Sequence, residues 1–355
     1  MVEATTAGNV TRGEFRGRAG EYFGIWIVNI LLTIVTLGIY SAWAKVRRNR
    51  YFYGNTFVDN HSFDYHARGM QIFIGRAIVF GFFIAIQIVS AFFPLVGIIV
   101  PFVVLLALPW LLSRGLRFAA RVTSYRNIRF DFKGTAWGAF KSVILGGLAA
   151  FVSFGILAPF ASRWLYRYIF NNLRYGDRSF STDPQLGKLY RVWVLPMIVT
   201  IIGAAVAVGI GTMLYMAASA AEAYSDAEDA PVQIIAMVYG TLIPLLLIYS
   251  IAAVLYRIGV RNVVMNAALL DGRHRLFSDM SRFRYLWIMV SNLVVSVLTF
   301  GLMRPWAAIR ERRYMVEHSG IIFDGDIGEV MASIEETGSA VTAEYLDMEG
   351  FDFGF

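Results

Sequence analysis

TLGIYSAWAKVRRNRY, residues 36–51, passes from apolar to strongly basic within about one helical turn. An apolar run beginning at Tyr22 leads into it, and Arg12, Arg16 and Arg18 stand before that run. Cytoplasmic loops normally collect the Lys and Arg, so one crossing helix rarely carries positive charge on both flanks. The run therefore either crosses, or dips into the bilayer and returns at Gly38. Which of these holds decides the fold.

The bilayer is the solvent that the composition implies. Of 355 residues, 57% are hydrophobic and only 16% charged, with a mean hydropathy of +0.57. Cysteine is absent, which excludes disulfides, thiolate metal sites and a cysteine nucleophile. Ala42-Trp43-Ala44 resembles a signal-peptide cleavage site, but the same block recurs inside the chain and reads as mature structure. Seven hydrophobic segments are long enough to approach a span: 22–44, 77–93, 95–112, 142–162, 192–217, 231–256 and 285–303.

The block recurs in register. An offset of 117 residues places Gly155, Ala161, Arg167 and Tyr168 on Gly38, Ala44, Arg50 and Tyr51. An offset of 263 places Thr299, Gly301, Trp306, Arg313 and Tyr314 on Thr36, Gly38, Trp43, Arg50 and Tyr51. Ala42 corresponds to Pro159 and Pro305, and Trp43 to Phe160 and Trp306. Asn29 and Asn292 correspond, with Gly146 between them. Each copy reads as an apolar helix, a Gly/Pro break and a basic amphipathic helix at the interface. Alternation at 56–65, 128–134 and 320–326 adds short strands on the basic side. The fold class is thus an all-α polytopic membrane protein with seven hydrophobic segments, a threefold repeat and short cytoplasmic β pieces. Its units are 1–134 with membrane hairpin 77–112, 128–275 with hairpin 192–256, a truncated 276–318, and an acidic tail 319–355.

If all seven segments cross, the loop Lys and Arg divide evenly, fifteen to each side. If 22–44, 142–162 and 285–303 dip and return, all thirty fall on one side, while 94–101 and 218–230 carry none. The charge rule favours dipping. Against it, irregular backbone at membrane depth must be covered by protein or water.

The stretch IWIVNILLTIVTLGIYSAWAKVRRNRYFYGNTFVDNHSFDYHARG, residues 25–69, resembles the YjgN-like family of bacterial inner-membrane proteins. The family signature falls on Asn29, Thr36, Leu37, Gly38, Tyr40, Trp43, Ala44, Arg47, Arg50, Tyr51, Gly54, Phe63 and Tyr65. Ala42 stands where proline is commoner in the family, which implies a softer first break. The resemblance implies a multi-pass protein of the bacterial inner membrane, and it supplies no mechanism.

Enzyme signatures are missing: there is no Walker loop, no GxSxG and no HExxH. Asp59, His61, Asp64 and His66 are the one concentration of metal-ligand types. On a continuous strand, Asp59 and His61 share one face and Asp64 and His66 the other, so a solvated hairpin is the plainer reading. No cofactor is implied. Arg47, Arg50, Tyr51, Arg167, Tyr168, Arg310, Arg313 and Tyr314 are candidates for an anion or lipid headgroup, weighed against simple anchoring to anionic lipid. Gly38, Trp43, Gly155, Pro159, Phe160, Gly301, Pro305 and Trp306 form the breaks and interface aromatics. Asn29 and Asn292 lie within apolar segments, where interhelical bonding to each other competes with a substrate contact. Gly203, Ala207 and Gly211 mark a close-packing stripe.

From Ser319 onward there is no Lys or Arg, and Ile327, Val330, Met331 and Ile334 suggest one amphipathic helix in an otherwise solvated tail. Docking of that stripe, with Phe351, Phe353 and Phe355, onto the basic layer is the alternative. Transport or lipid handling at a basic cytoplasmic belt, with membrane lipids as partners and no nucleic acid, is the leading function. A non-transporting scaffold is second and an intramembrane enzyme third.

Overall fold

The computed structural model describes residues 10–222 and 232–336. Its helices are α1 (Ala19–Val35), α2 (Ser41–Gly54), α3 (Gly69–Phe92), α4 (Pro94–Arg121) and α5 (Ala136–Val152, with a π-helical turn at Phe140–Leu145). Then come α6 (Ala158–Asn171), α7 (Leu186–Glu222), α8 (Val232–Asn266), α9 (Arg282–Leu298), α10 (Arg304–Glu317) and α11 (327–336).

Four of these, α3, α4, α7 and α8, are long and apolar enough to cross a membrane. Pro94 starts α4, and its ring forces Phe93 out of the helical region, so α3 and α4 meet at a sharp corner. α7 and α8 lie side by side. A Cβ at Gly203 would run into Ile248, and one at Gly211 into Thr241, while Ala207 is fully buried. The loop between them, with its acidic run, lies outside the described residues.

The seven hydrophobic segments expected are not seven helices of one kind: four are continuous and of membrane length. Segments 22–44, 142–162 and 285–303 are each split by a five-residue turn. At each split a bulky residue and a glycine both take positive φ: Leu37 and Gly38, Phe154 and Gly155, Phe300 and Gly301. The glycine amide then reaches back five residues, to Thr33, Ala150 and Ser296, at 2.7 Å in every case. Ala42 does not soften the first break, which has the same backbone path as those followed by Pro159 and Pro305.

Nor is the protein all-α. Eleven short strands run in chain order: β1 (Val10–Arg12), β2 (Glu14–Phe15), β3 (Thr56–Val58), β4 (His61–Tyr65), β5 (Thr123–Tyr125), β6 (Ile128–Phe132), β7 (Leu173–Tyr175), β8 (Arg178–Thr182), β9 (Ala268–Leu270), β10 (His274–Ser278) and β11 (Ser319–Ile322). They form one antiparallel sheet, ordered β1-β11-β10-β9-β8-β7-β6-β5-β4-β3-β2. The two end strands are joined covalently through Gly13, so the sheet is a near-barrel. A Cβ on Gly320 would run into the Thr11 carbonyl, so β1 lies closely against β11 there.

Four tight hairpins build most of the ring, and their turns use positive φ at Asp59-Asn60, Arg126-Asn127, Gly176 and Asp271-Gly272. A fifth position is filled by β11 with the N-terminal strands. The recurrent piece is therefore a strand pair flanked by helices, and the threefold description is replaced by this arrangement. The single strand expected over 56–65 is interrupted by its turn, and those at 128–134 and 320–326 are β6 and β11.

The ring packs against the helices. Phe15 and Tyr22 pack with Ile309 and Val316, joining the N-terminal strand to α10. α2 and α10 are not isolated interface helices, because Val46, Ile309, Tyr314 and Val316 are buried against neighbouring elements. Inside the ring, Tyr125, Ile128, Tyr175, Phe180 and Leu270 form a core with Met331 and Ile334 of α11. Ile327 and Val330 join it, so the segment from Ser319 to 336 is no free tail. Phe351, Phe353 and Phe355 lie outside the described residues.

Candidate functional site

The chain reverses at each split helix, and side chains fasten the reversal. Asn292 donates to the Ala307 carbonyl at 3.0 Å, and Asn29 reaches Ala44 at 3.5 Å. The two asparagines thus bond within their own helix pairs rather than to each other, which corrects the mutual-bonding expectation. Arg310 donates to Asn292 at 3.1 Å and to Ser291 at 2.6 Å, and it stands 5.2 Å from the Trp306 ring. Arg47 is set in the same way on Asn29 and Tyr40, at 3.5 and 3.3 Å. In the pair α5/α6 the asparagine's place is taken by Gly146, which approaches Ala161.

The Arg-Tyr pairs act as clamps on backbone. The hydroxyl of Tyr51 accepts from the Arg18 amide at 2.8 Å, that of Tyr168 donates to the Thr135 carbonyl at 2.9 Å, and that of Tyr314 accepts from the Ser281 amide at 2.9 Å. In each case the partner lies thirty-three residues earlier, just before the apolar helix. Burial pushes the Tyr51 phenol up to about 12 and raises that of Tyr168. The arginines hold other segments of the same kind: Arg50 the Ala67 carbonyl, Arg313 the Gly17 carbonyl, and Arg167 the Asp183 carboxylate at 3.5 Å. Arg313 also lines a hollow of about 630 Å³ with Arg284, Trp306, Arg310 and Tyr314.

Of the aromatics, Trp43 covers Gly69 and stands 5.6 Å from Phe73, while Phe160 meets Tyr190 edge-on. Pro159 and Pro305 are fully buried in the first turns of α6 and α10, where no amide hydrogen is needed.

A different set of cations comes together along α1. Lys45, Arg48, Arg76 and Arg304 line a cleft of about 560 Å³ with Asn29, Tyr22 and apolar residues of α1. No acidic residue lines it, and among the described residues no carboxylate is within ion-pair distance of the four. Burial, then Arg76 and Arg48, hold the Lys45 ammonium below its ordinary value. Such a cleft can take an anion whose remainder is apolar. Sequence reasoning missed this set because Arg76 and Arg304 sit at the ends of apolar segments, far apart in the chain. The spacing of Lys45 and Arg48, one turn apart on α2, was the available signal.

The quartet at 59–66 disperses. Asp59 sits in the turn, where its carboxylate meets Arg126 at 3.6 Å and its carbonyl meets His61 Nδ1 at 2.7 Å. His66 Nε2 bonds Ser124 at 2.7 Å, and Asp64 is exposed opposite Ser124 in the ladder. Among the described residues no three His, Cys, Asp or Glu gather as a metal site.

Residues 10–348 match the family model described as a bacterial protein of unknown function, DUF898. The inner membrane protein YjgN of Salmonella typhimurium is 25% identical over 366 residues, covering 91% of this chain and 90% of that protein. The inner membrane protein YjgN of Escherichia coli K12 is 27% identical over 353 residues, covering 88% of each. No solved structure matches. With a match over almost its whole length and four helices fit to cross a bilayer, the chain is a bacterial inner-membrane protein belonging to the DUF898 family.

Proposed function

We propose that the protein handles anionic phospholipids at the cytoplasmic leaflet, drawing a headgroup into the cleft along α1. The observation that carries this reading is the acid-free grouping of Lys45, Arg48, Arg76 and Arg304 beside the apolar flank of α1. A phosphate there meets several donors, while its acyl chains run along a helix that already prefers hydrocarbon.

The reading places α3/α4 and α7/α8 across the membrane as hairpins, and the three split pairs within one leaflet. Leu37, Phe154 and Phe300, at the turn tips, expose 93%, 90% and 98% of their surface. Residues so apolar and bare suit hydrocarbon, and each split pair brings its basic end back to the ring. In this arrangement the near-barrel and the charged loops lie in the cytoplasm.

Lipid retained through purification tests the proposal. Each basic contact is worth about 1 kcal/mol near an anionic surface, or about fivefold in binding. Arg48→Ala with Arg304→Ala should therefore cut retained anionic phospholipid more than tenfold and leave zwitterionic lipid unchanged. Equal loss of both lipid classes, or no loss, would overturn it. Single cysteines at Gly20 and Ser179 should both react from the cytoplasm, and one at Phe93 from outside. Labelling of Gly20 and Ser179 from opposite faces would remove the leaflet placement. Retention of lipid without any transbilayer exchange in liposomes would favour the scaffold over transport.

A further inference from the structure

The interior of the near-barrel is a second hollow, of about 440 Å³, within the range of small-molecule pockets. Its wall is apolar and aromatic. The rings of Phe63 and Tyr125 lie 4.9 Å apart, as do those of Phe130 and Tyr175. The Tyr175 hydroxyl donates to the Tyr125 carbonyl at 2.9 Å, so the polar tip of that ring is satisfied by backbone.

Two charges break this wall, Arg261 of α8 and Arg312 of α10. Arg261 donates to Ser278 at 2.7 Å and Ser319 at 2.8 Å, both neutral. Arg312 has one long bond to Thr56, 3.4 Å, and its Nε is buried without a partner. Among the described residues neither guanidinium meets a carboxylate. Burial pushes Arg312 below its ordinary value, the direction expected of a cation short of a counter-charge. Two half-buried arginines facing one apolar space are unfavourable until an anion joins them, and guanidinium is the cation best suited to a carboxylate or phosphate.

We propose that the lumen binds a single-chain amphiphile with an acidic head, its tail among the aromatic rings and its head on Arg261 and Arg312. The site is separate from the cleft at α1 and does not require it. α11 stands over the hairpin-turn end: Met331 lines the lumen, and the Arg126–Glu335 ion pair, 3.5 Å, holds the helix at its rim. That pair is half-exposed on the Glu335 side, so it is a weak latch past which a ligand can enter.

Native mass spectrometry of the full chain, released from detergent, tests the site with dodecanoic acid, dodecanol and inorganic phosphate. One dodecanoic acid should bind, at least tenfold more tightly than dodecanol, with phosphate a poor competitor. Affinity should rise about fourfold per added methylene until the lumen is full. Arg312→Gln, which gives up one long hydrogen bond, should remove most of the preference for acid over alcohol. Val58→Phe, which fills the lumen, should abolish binding of both while the thermal unfolding midpoint is kept. Equal binding of acid and alcohol, full competition by phosphate, or unchanged binding in Val58→Phe would each overturn the proposal. Loss of dodecanoic acid in Arg48→Ala would move the binding to the α1 cleft and overturn it as well. Failure here with intact phospholipid retention leaves the headgroup reading standing.

Discussion

Helix α3 and the segment 22–44 are equally apolar, yet one runs unbroken and the other turns back on itself. Glycine alone does not make the difference, since α3 contains Gly75 and Gly81 as ordinary helical residues. The split segments carry a hydroxyl, a bulky residue and a glycine in sequence: Thr36-Leu37-Gly38, Ser153-Phe154-Gly155 and Thr299-Phe300-Gly301. The hydroxyl accepts from the amide four residues on, at Tyr40, Leu157 and Met303, and so ties the turn to the residue that opens the next helix. The glycine closes the helix that precedes. A returning helix must then be held, by an asparagine in two cases and by close contact at Gly146 in the third. Breaking a membrane helix therefore takes a hydroxyl-tied turn together with a fastener, and hydropathy reports neither.

The fasteners give the largest expected contrast. Asn292→Ala strips the Ala307 carbonyl and Arg310 of a buried partner, and should cost about 1–3 kcal/mol in the folded state. Asn29→Ala removes bonds of only 3.5 Å and should cost clearly less. Thermal unfolding in one detergent ranks them. Equal losses would mean that the asparagines serve solubility in the apolar segment rather than the reversal.

Turn glycines should give the next effect. Alanine at Gly38, Gly155 or Gly301 is forced into a left-handed backbone and should cost about 1–2 kcal/mol at each position. Gly81→Ala, in open space on α3, should instead be neutral or stabilising by about 0.5–1 kcal/mol. If all four behave alike, the turns are not fixed by backbone conformation and the contrast between the two kinds of segment fails.

Much of this was open to sequence reasoning, but unevenly. The breaks at Gly38, Gly155 and Gly301 and the strands near 56–65, 128–134 and 320–326 are legible because each has a local pattern. β7 with β8, and β9 with β10, escaped it. LRYGDRSFST alternates weakly, and ALLDGRHRLFS continues the apolar register of α8, although Gly-Asp and Asp-Gly are turn signals. β1 and β2 are too short for any pattern to register. Closure of the ring depends on pairing residue 10 with residue 322, a contact no local rule can supply. For the same reason Arg261 and Arg312 read as ordinary basic residues of their helices. Only the closed ring makes them the two charges in one lumen.

The smallest effect concerns the tyrosine clamps, and it separates the split helices from the unbroken ones most finely. Tyr51, Tyr168 and Tyr314 each tie the end of a returning helix to the start of its partner, and α3 and α4 have no counterpart among the described hydrogen bonds. Replacing any one with Phe keeps the ring and deletes the hydroxyl, so the loss should be about 0.5–1.5 kcal/mol, similar at all three. Tyr51 offers a second readout. Its phenol is pushed up to about 12, chiefly by burial, so the folded state holds the proton more tightly than the unfolded chain does. The stability this contributes is complete below about pH 10, the ordinary phenol value, and is lost as pH rises toward 12. Unfolding midpoints measured from pH 9 to 11.5 should therefore fall less steeply for Tyr51→Phe than for the unaltered chain. An unchanged slope, with the neutral-pH loss still present, would show that the hydroxyl stays solvated and that the ring packing alone fastens the turn.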